Sequence, residues 1–438
     1  MSKAACAPKP ASILPIVTVN FVGALGFSIV LPSLVFLVTR YGGDARIYGW
    51  IGATYSLFQL IGAPILGRWS DRFGRRRILL LCVIGTCVSW CVFLLALTLP
   101  GGALGRIDSA MPGMLGLTPS LVMLFFARAL AGLTGGDVSI ANAYLADISD
   151  DRHRSENFGR MAVASNLGFV AGPAIAGLLG VVGAGDIGTV VAALVVSAAA
   201  IVLVAFMVPE AAPCVLAADP ERPNVRKLFG LEQKECFRMT ASKELSPIEI
   251  LRLPSMKLIL AVYFLVYFAF NLFYIAFPVY AATGIHWSLT EIGVYFAVMG
   301  LSMALVQGPL LNFLAKRWPS RALVIAGSVL LAASFPFFIS SSTVMIYAGT
   351  LLLAVGNGLM WPSLLAILSM TTDKSLQGAV QGFASSAGAV ASIAGLVLGG
   401  ALYQAAANRV FLISAVLVAI TSVLSLRLPR PRERSPSQ

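Results

Sequence analysis

The strongest constraint on this chain is the recurrence of long apolar runs, each of about the 20 residues a helix needs to cross roughly 30 Å of hydrocarbon. They fall at 13–38, 46–66, 78–99, 119–146, 158–182, 187–208, 256–280, 290–314, 321–341, 343–370, 377–402 and 408–428. Each is closed by Gly, Pro, Ser or charged residues. Twelve such runs in 438 residues predict an all-α, multi-pass membrane protein of twelve transmembrane helices. Composition agrees: 11% of residues are charged, against about a quarter in soluble domains. The first run is full length and bends around Pro32, so it is expected to remain a helix rather than be cleaved as a signal peptide. Cys82, Cys87 and Cys91 share one run, and Cys6, Cys214 and Cys236 fall in polar segments, so no disulfide framework is expected.

The longest polar interruption, 209–255, separates six runs from six. The expected organisation is a tail at 1–12, a first half at 13–208, a linker at 209–255 with a short amphipathic helix near Ser246–Leu253, a second half at 256–428 and a tail at 429–438. If odd-numbered loops face outward, 26 Lys and Arg residues lie inside and four (Arg40, Arg46, Arg106 and Arg409) outside. The positive-inside rule then puts both termini in the cytosol. The net charge of +12 is accounted for by topogenic loops, and nucleic-acid binding is not expected. The halves echo each other: "GFVAGPAIAGLLG" of the fifth run matches "GAVASIAGLVLGG" of the eleventh, setting Gly172 opposite Gly395. A parallel six-plus-six repeat is a transporter ground plan.

Between runs 2 and 3 stands "GRWSDRFGRRRILLL", with Gly67, Asp71, Arg72, Gly74, Arg76 and Arg77 in register. Topology explains the arginines, but not Asp71 or the two glycines. Gly67 would let helix 2 approach a neighbour, Asp71 would bond a facing helix N-terminus or an arginine, and Gly74 would permit a tight turn. The segment resembles the loop motif of the major facilitator superfamily. That resemblance implies a conformational latch favouring the outward-facing state, with Asp147 as the partner of Arg72 or Arg76. In helix 5, Gly168, Gly172, Pro173 and Gly177 resemble the superfamily's antiporter motif, with small residues for close packing and a proline that bends the helix.

Helix 4, "ARALAGLTGGDVSIANAYLADISDD", carries two intramembrane charges, Arg128 and Asp137. Nine residues at about 100° each set them on opposite faces, so a direct pair requires Gly135 and Gly136 to distort the helix. Arg128 is read either as a structural arginine bonding carbonyls of helix 1 or as a coupling residue. Asp137, the one acid well inside a run, is the first candidate for proton coupling. Taken with "YSLFQLIGAPILGRWSDRFGRRRILLL", the helix 4–5 sequence is similar to the tetracycline-resistance type of drug:proton antiporter. One departure stands out: aligning "LGFSIVLP" puts Gly23 where those antiporters carry an essential helix-1 acid. Helices 7 to 12 contain no acid except Glu291 at one end.

Polar residues inside runs mark a candidate substrate path: Asn20, Gln59, Asn142 and Asn166 in the first half, and Asn271, Gln307, Asn357 and Gln381 in the second. Helix 7 is dense in aromatics, and Tyr267, Tyr274 and Trp361 of helix 10 would suit a hydrophobic, amphiphilic cargo. The partners expected are a small molecule, protons and the lipid bilayer, for a monomer of a bacterial inner membrane. There is no Gly-rich loop ending Gly-Lys-Ser/Thr, so ATP drive is not expected. The two histidines, His153 and His286, fall on opposite sides, which disfavours an enzyme, and no cofactor or metal is expected. A proton-independent exporter or uniporter, and a transport-incompetent receptor or scaffold, remain compatible with the sequence.

Overall fold

The computed structural model describes residues 12–99, 118–149, 153–210, 247–371 and 377–429. Most of both expected tails, most of the 209–255 linker, and Cys6, Cys214 and Cys236 lie outside the described residues. Among those residues every regular element is helical: α1 Leu14–Arg40, α2 Ala45–Phe73, α3 Arg75–Thr98, α4 Pro119–Ile148, α5 Arg154–Val181 and α6 Gly185–Met207. A six-residue helix, Pro247–Arg252, stands where the short linker helix was predicted. Then come α7 Met256–Gly284, α8 Leu289–Ala315, α9 Ser320–Ile339, α10 Thr343–Met370, α11 Gln377–Ala406 and α12 Val410–Ser425.

Among the described residues ten segments are long and apolar enough to cross a membrane. One of them, Val380–Ser425, contains both α11 and α12, which meet at the 3-10 turn Ala407–Arg409. α2 is not among the ten; its uncharged stretch 47–67 is made less apolar by Tyr48, Gly49, Thr54, Tyr55, Ser56 and Gln59. Dividing that segment and adding α2 gives the twelve helices predicted. Where caps are visible they follow helix chemistry. Ser288 and Glu291 close a capping box at the start of α8, Glu291 accepting from the Ser288 N–H at 2.7 Å, so Glu291 is spent on the helix end.

The chain forms two compact units, 1–34 with 57–237 and 35–56 with 238–438. Residues 35–56 group with the second unit rather than with the 13–208 half. The reason lies in glycines: Gly49 abuts Leu396 and Gly400, and Gly400 abuts Ala45 and Arg46, so the backbones of α2 and α11 come close.

In the first unit, Ile16, Leu79, Cys82, Ile140, Tyr144, Leu145 and Val204 form a core drawn from α1, α3, α4 and α6. In the second, Phe273 and Phe277 of α7 meet Phe338 at 4.7 and 5.5 Å between ring centroids, and Tyr295 stacks on Phe277 at 4.1 Å. Large apolar side chains also point outward, Phe206 to 84% exposure, as lipid contact requires.

α1 packs on α5, and α7 on α11, through glycines. Gly168 faces Phe21, Ala24 and Leu25, and Gly172 faces Ser28 and Ile29. In the second unit Gly395 faces Phe268 and Asn271, and Gly399 faces Leu272 and Ile275. The equivalent glycines are therefore Gly168 with Gly395 and Gly172 with Gly399, both 227 apart, which corrects the Gly172–Gly395 pairing by one helical turn. Contact faces decide the register; runs of small residues look alike when slid by four. Pro173 is buried inside a helix that continues to Val181.

Candidate functional site

α4 is two helices end to end, Pro119–Thr134 and Asp137–Ile148, parted at Gly135 and Gly136. The break is held by close neighbours: Gly62 of α2 lies on the Leu133 carbonyl, Gly85 of α3 on the Thr134 side chain, and Gly136 on Leu66. A carbonyl released from a helix inside a membrane needs a donor. Gln59 supplies it, its Nε2 donating to the Gly135 oxygen at 3.0 Å.

Asp137 opens the second half of α4, where its carboxylate lies against its own N–H and that of Val138, at the positive end of the helix dipole. It is half-buried. A methyl group built on Gly23 of α1 would stand 3.1 Å from Asp137 Oδ2. Cys82 of α3 faces Gly136 and Asp137. Arg128, 3% exposed, sits in the other half of α4 with its guanidinium over Trp90 at 5.9 Å and Phe93 at 5.7 Å. Although the helix does break at the two glycines, among the described residues no cation lies within ion-pair distance of Asp137.

The polar residues predicted for a substrate path divide into two kinds. Asn142 and Asn166, with Ser165, Phe158, Met161 and Ala162, line an open cleft of about 340 Å³. Asn20 is instead buried in the α1–α5 seam, donating to the Met161 carbonyl at 3.1 Å and to Ser165. Asn271, half-buried, donates to the Tyr267 carbonyl of its own helix at 2.8 Å and across the α7–α11 seam to Ser392 at 3.1 Å. Asn357 reaches the sulfur of Met303 at 3.9 Å, and Gln307 lies in the π-helical turn Val306–Leu310 of α8. Tyr267 and Trp361 meet edge to face at 4.7 Å with Tyr263 alongside, while Tyr274 stacks on Phe270.

At the α2–α3 turn, Gly74 adopts φ 104°, a conformation that side chains resist. Arg75 follows it and is the hub, 2.6 Å from Asp71, 2.8 Å from Asp147 and 2.7 Å from Ser70. Asp147 thus pairs with Arg75, not with Arg72 or Arg76 as predicted. The turn starts α3 at Arg75, which aims that side chain back along α2 and α4; Arg72 lies over Phe73 and Arg76 points to the end of α6. Gly67 has open space around it, so the close approach of α2 is made by Gly62 instead.

Two residues were not foreseen. Arg75 is indistinguishable by type from its arginine neighbours. Glu210, just past α6, accepts from the Arg76 N–H at 3.1 Å and so caps α3; an acid closing a long apolar helix was the available signal.

A family model for the Major Facilitator Superfamily matches residues 16–261 and again 259–438, one match for each six-helix half. The chain belongs to the Major Facilitator Superfamily. It is 28% identical to the class C tetracycline resistance protein of Escherichia coli over 90% of both chains. Its fold matches the D-xylose-proton symporter with a TM-score of 0.71 at 15% identity, covering 96% of this chain and 98% of that one. The human organic anion transporter MFSD10 matches with a TM-score of 0.63 at 22% identity, covering 94% and 98%. As a major facilitator protein with this repeat, the chain is a multi-pass secondary membrane transporter of small molecules.

Proposed function

We propose that this transporter exports a small amphiphilic compound in exchange for protons by alternating access, with Asp137 as the proton carrier. The observation that carries the reading is the placement of Asp137: a half-buried carboxylate at a helix break, facing bare Gly23, with no cation in ion-pair distance among the described residues. An ionised carboxylate is costly within the membrane and its neutral acid far less so. Each cycle takes one proton from outside water onto the carboxylate and returns it to cytosolic water.

The similarity to tetracycline resistance proteins supports export of an amphiphilic drug. The Asn142–Asn166 cleft of the first unit offers amide contacts to such a cargo. The second unit carries its own aromatic group, Tyr267 and Trp361 edge to face and Tyr274 on Phe270, suited to an apolar compound. Arg128, stacked on Trp90 and Phe93, is a positioning residue for α4. The positive-inside count favours cytosolic termini and puts the Arg75 hub and Gly74 turn at the cytosolic face, where they act as the latch. The unit at work is a monomer in a bacterial inner membrane.

The test is proteoliposome transport of tetracycline and ethidium under an imposed pH gradient, comparing wild type with Asp137→Asn. Gradient-driven accumulation in wild type that falls by at least tenfold in the variant is expected. Accumulation indifferent to both gradient and substitution overturns proton exchange through Asp137.

A further inference from the structure

The carboxylate of Asp137 does not lie along its own helix alone. Its Oδ2 stands where a side chain of α1 would begin: a Cβ built on Gly23 would lie 3.1 Å from it and, its own helix apart, within 4 Å of no other atom. The second half of α4 packs on α1, α3 and α5. From α1, the stretch Leu14–Ser28 carries no titratable side chain. From α3 the facing group is Cys82. The described charges of α5, Glu156 and Arg160, pair with each other. α2 meets the break with Gln59, Ala63 and Leu66. Arg128, on α4 itself, is stacked on rings of α3.

We propose that the proton site is a single place shared by two helices: Gly23 is a positioning residue whose missing side chain leaves the face of α1 open for the Asp137 carboxylate. The inference rests on Asp137 being the proton carrier. The site is then defined by location and not by which helix supplies the acid. An aspartate at position 23 would set its carboxylate oxygens two bonds beyond the Cβ, in the volume Asp137 now fills. With residue 137 cut back to alanine, that volume is vacant and the acid is regained from α1. A side chain at position 23 beside an intact Asp137 must displace the carboxylate, since a carbon at 3.1 Å is tighter than ordinary contact.

The experiment uses the full-length protein in detergent and compares wild type, Asp137→Ala, Gly23→Val and the double variant Gly23→Asp/Asp137→Ala. The readout is the carbonyl stretch of a protonated carboxyl group in acid-minus-alkaline infrared difference spectra, with thermal melting as the check on folding. The expected result is a band in wild type, lost in Asp137→Ala and regained in the double variant with a midpoint within about one pH unit of wild type. Gly23→Val, with Asp137 intact, should move the midpoint, which a purely structural role for Gly23 would not do. A folded double variant without the band, or an unmoved midpoint in Gly23→Val, overturns the shared site and leaves Asp137 as carrier. A wild-type spectrum that Asp137→Ala does not change overturns the carrier reading itself.

Discussion

The Arg75 hub allows a quantitative test within the first unit. Arg75 and Asp71 are 13% and 12% exposed and Asp147 is 27% exposed, so the three charges are neither free in water nor sealed from it. At an effective dielectric near 20, two unit charges about 4 Å apart attract by about 4 kcal/mol before desolvation is subtracted. The two contacts differ in kind. Arg75 Nε donates an aligned hydrogen bond to Asp147, whereas the Asp71 contact is an ion pair without hydrogen-bond alignment. A hydrogen bond to a charged group contributes about 1.5–3 kcal/mol, which partial exposure reduces toward the lower end. Double-mutant cycles are therefore expected to give about 1.5 kcal/mol for Arg75→Gln with Asp147→Asn, and about 1 kcal/mol for Arg75→Gln with Asp71→Asn. Equilibrium unfolding by urea in mild micelles, followed by tryptophan fluorescence, reads both. Exposed pairs typically give 0.2–1 kcal/mol, so coupling below about 0.5 kcal/mol in both cycles refutes the hub. A reversed order would show that burial outweighs hydrogen-bond alignment.

Gln59→Met should leave the Gly135 carbonyl without its side-chain donor at the α4 break, costing about 1–3 kcal/mol of stability, measured by the same unfolding assay. A cost under about 0.5 kcal/mol would mean that another donor serves that oxygen. Gly172→Leu should prevent α5 from seating on Ser28 and Ile29 of α1, because even a Cβ there would lie 2.7 Å from the Ile29 nitrogen. Gly159→Leu, in open space on the same helix, should fold as wild type; equal melting temperatures for the two variants would discredit the α1–α5 contact.

Helix number and the loop motif are legible in the sequence because both follow from local chemistry. Hydrocarbon thickness sets the length of an apolar run, and a turn at positive φ favours glycine, as Gly74 shows. What the sequence hides is which of several equal residues meets a partner. Four arginines between positions 72 and 77 carry the same charge, and only the start of α3 directly after Gly74 selects Arg75 for Asp71 and Asp147. The amides predicted to line a cavity share one chemistry too, yet Asn20 and Asn271 are spent on helix seams while Asn142 and Asn166 line a cleft. Asp137 is the same problem from the other side. Its sequence position gives its depth in α4, and an alignment notes a missing acid at Gly23, but neither shows that the two positions meet. Helix packing brings them together: a Cβ built on Gly23 would stand 3.1 Å from Asp137 Oδ2. The shared site proposed above rests on that approach. A lone departure from a family pattern is best weighed after asking which side chain, from any neighbouring helix, fills the volume it vacates.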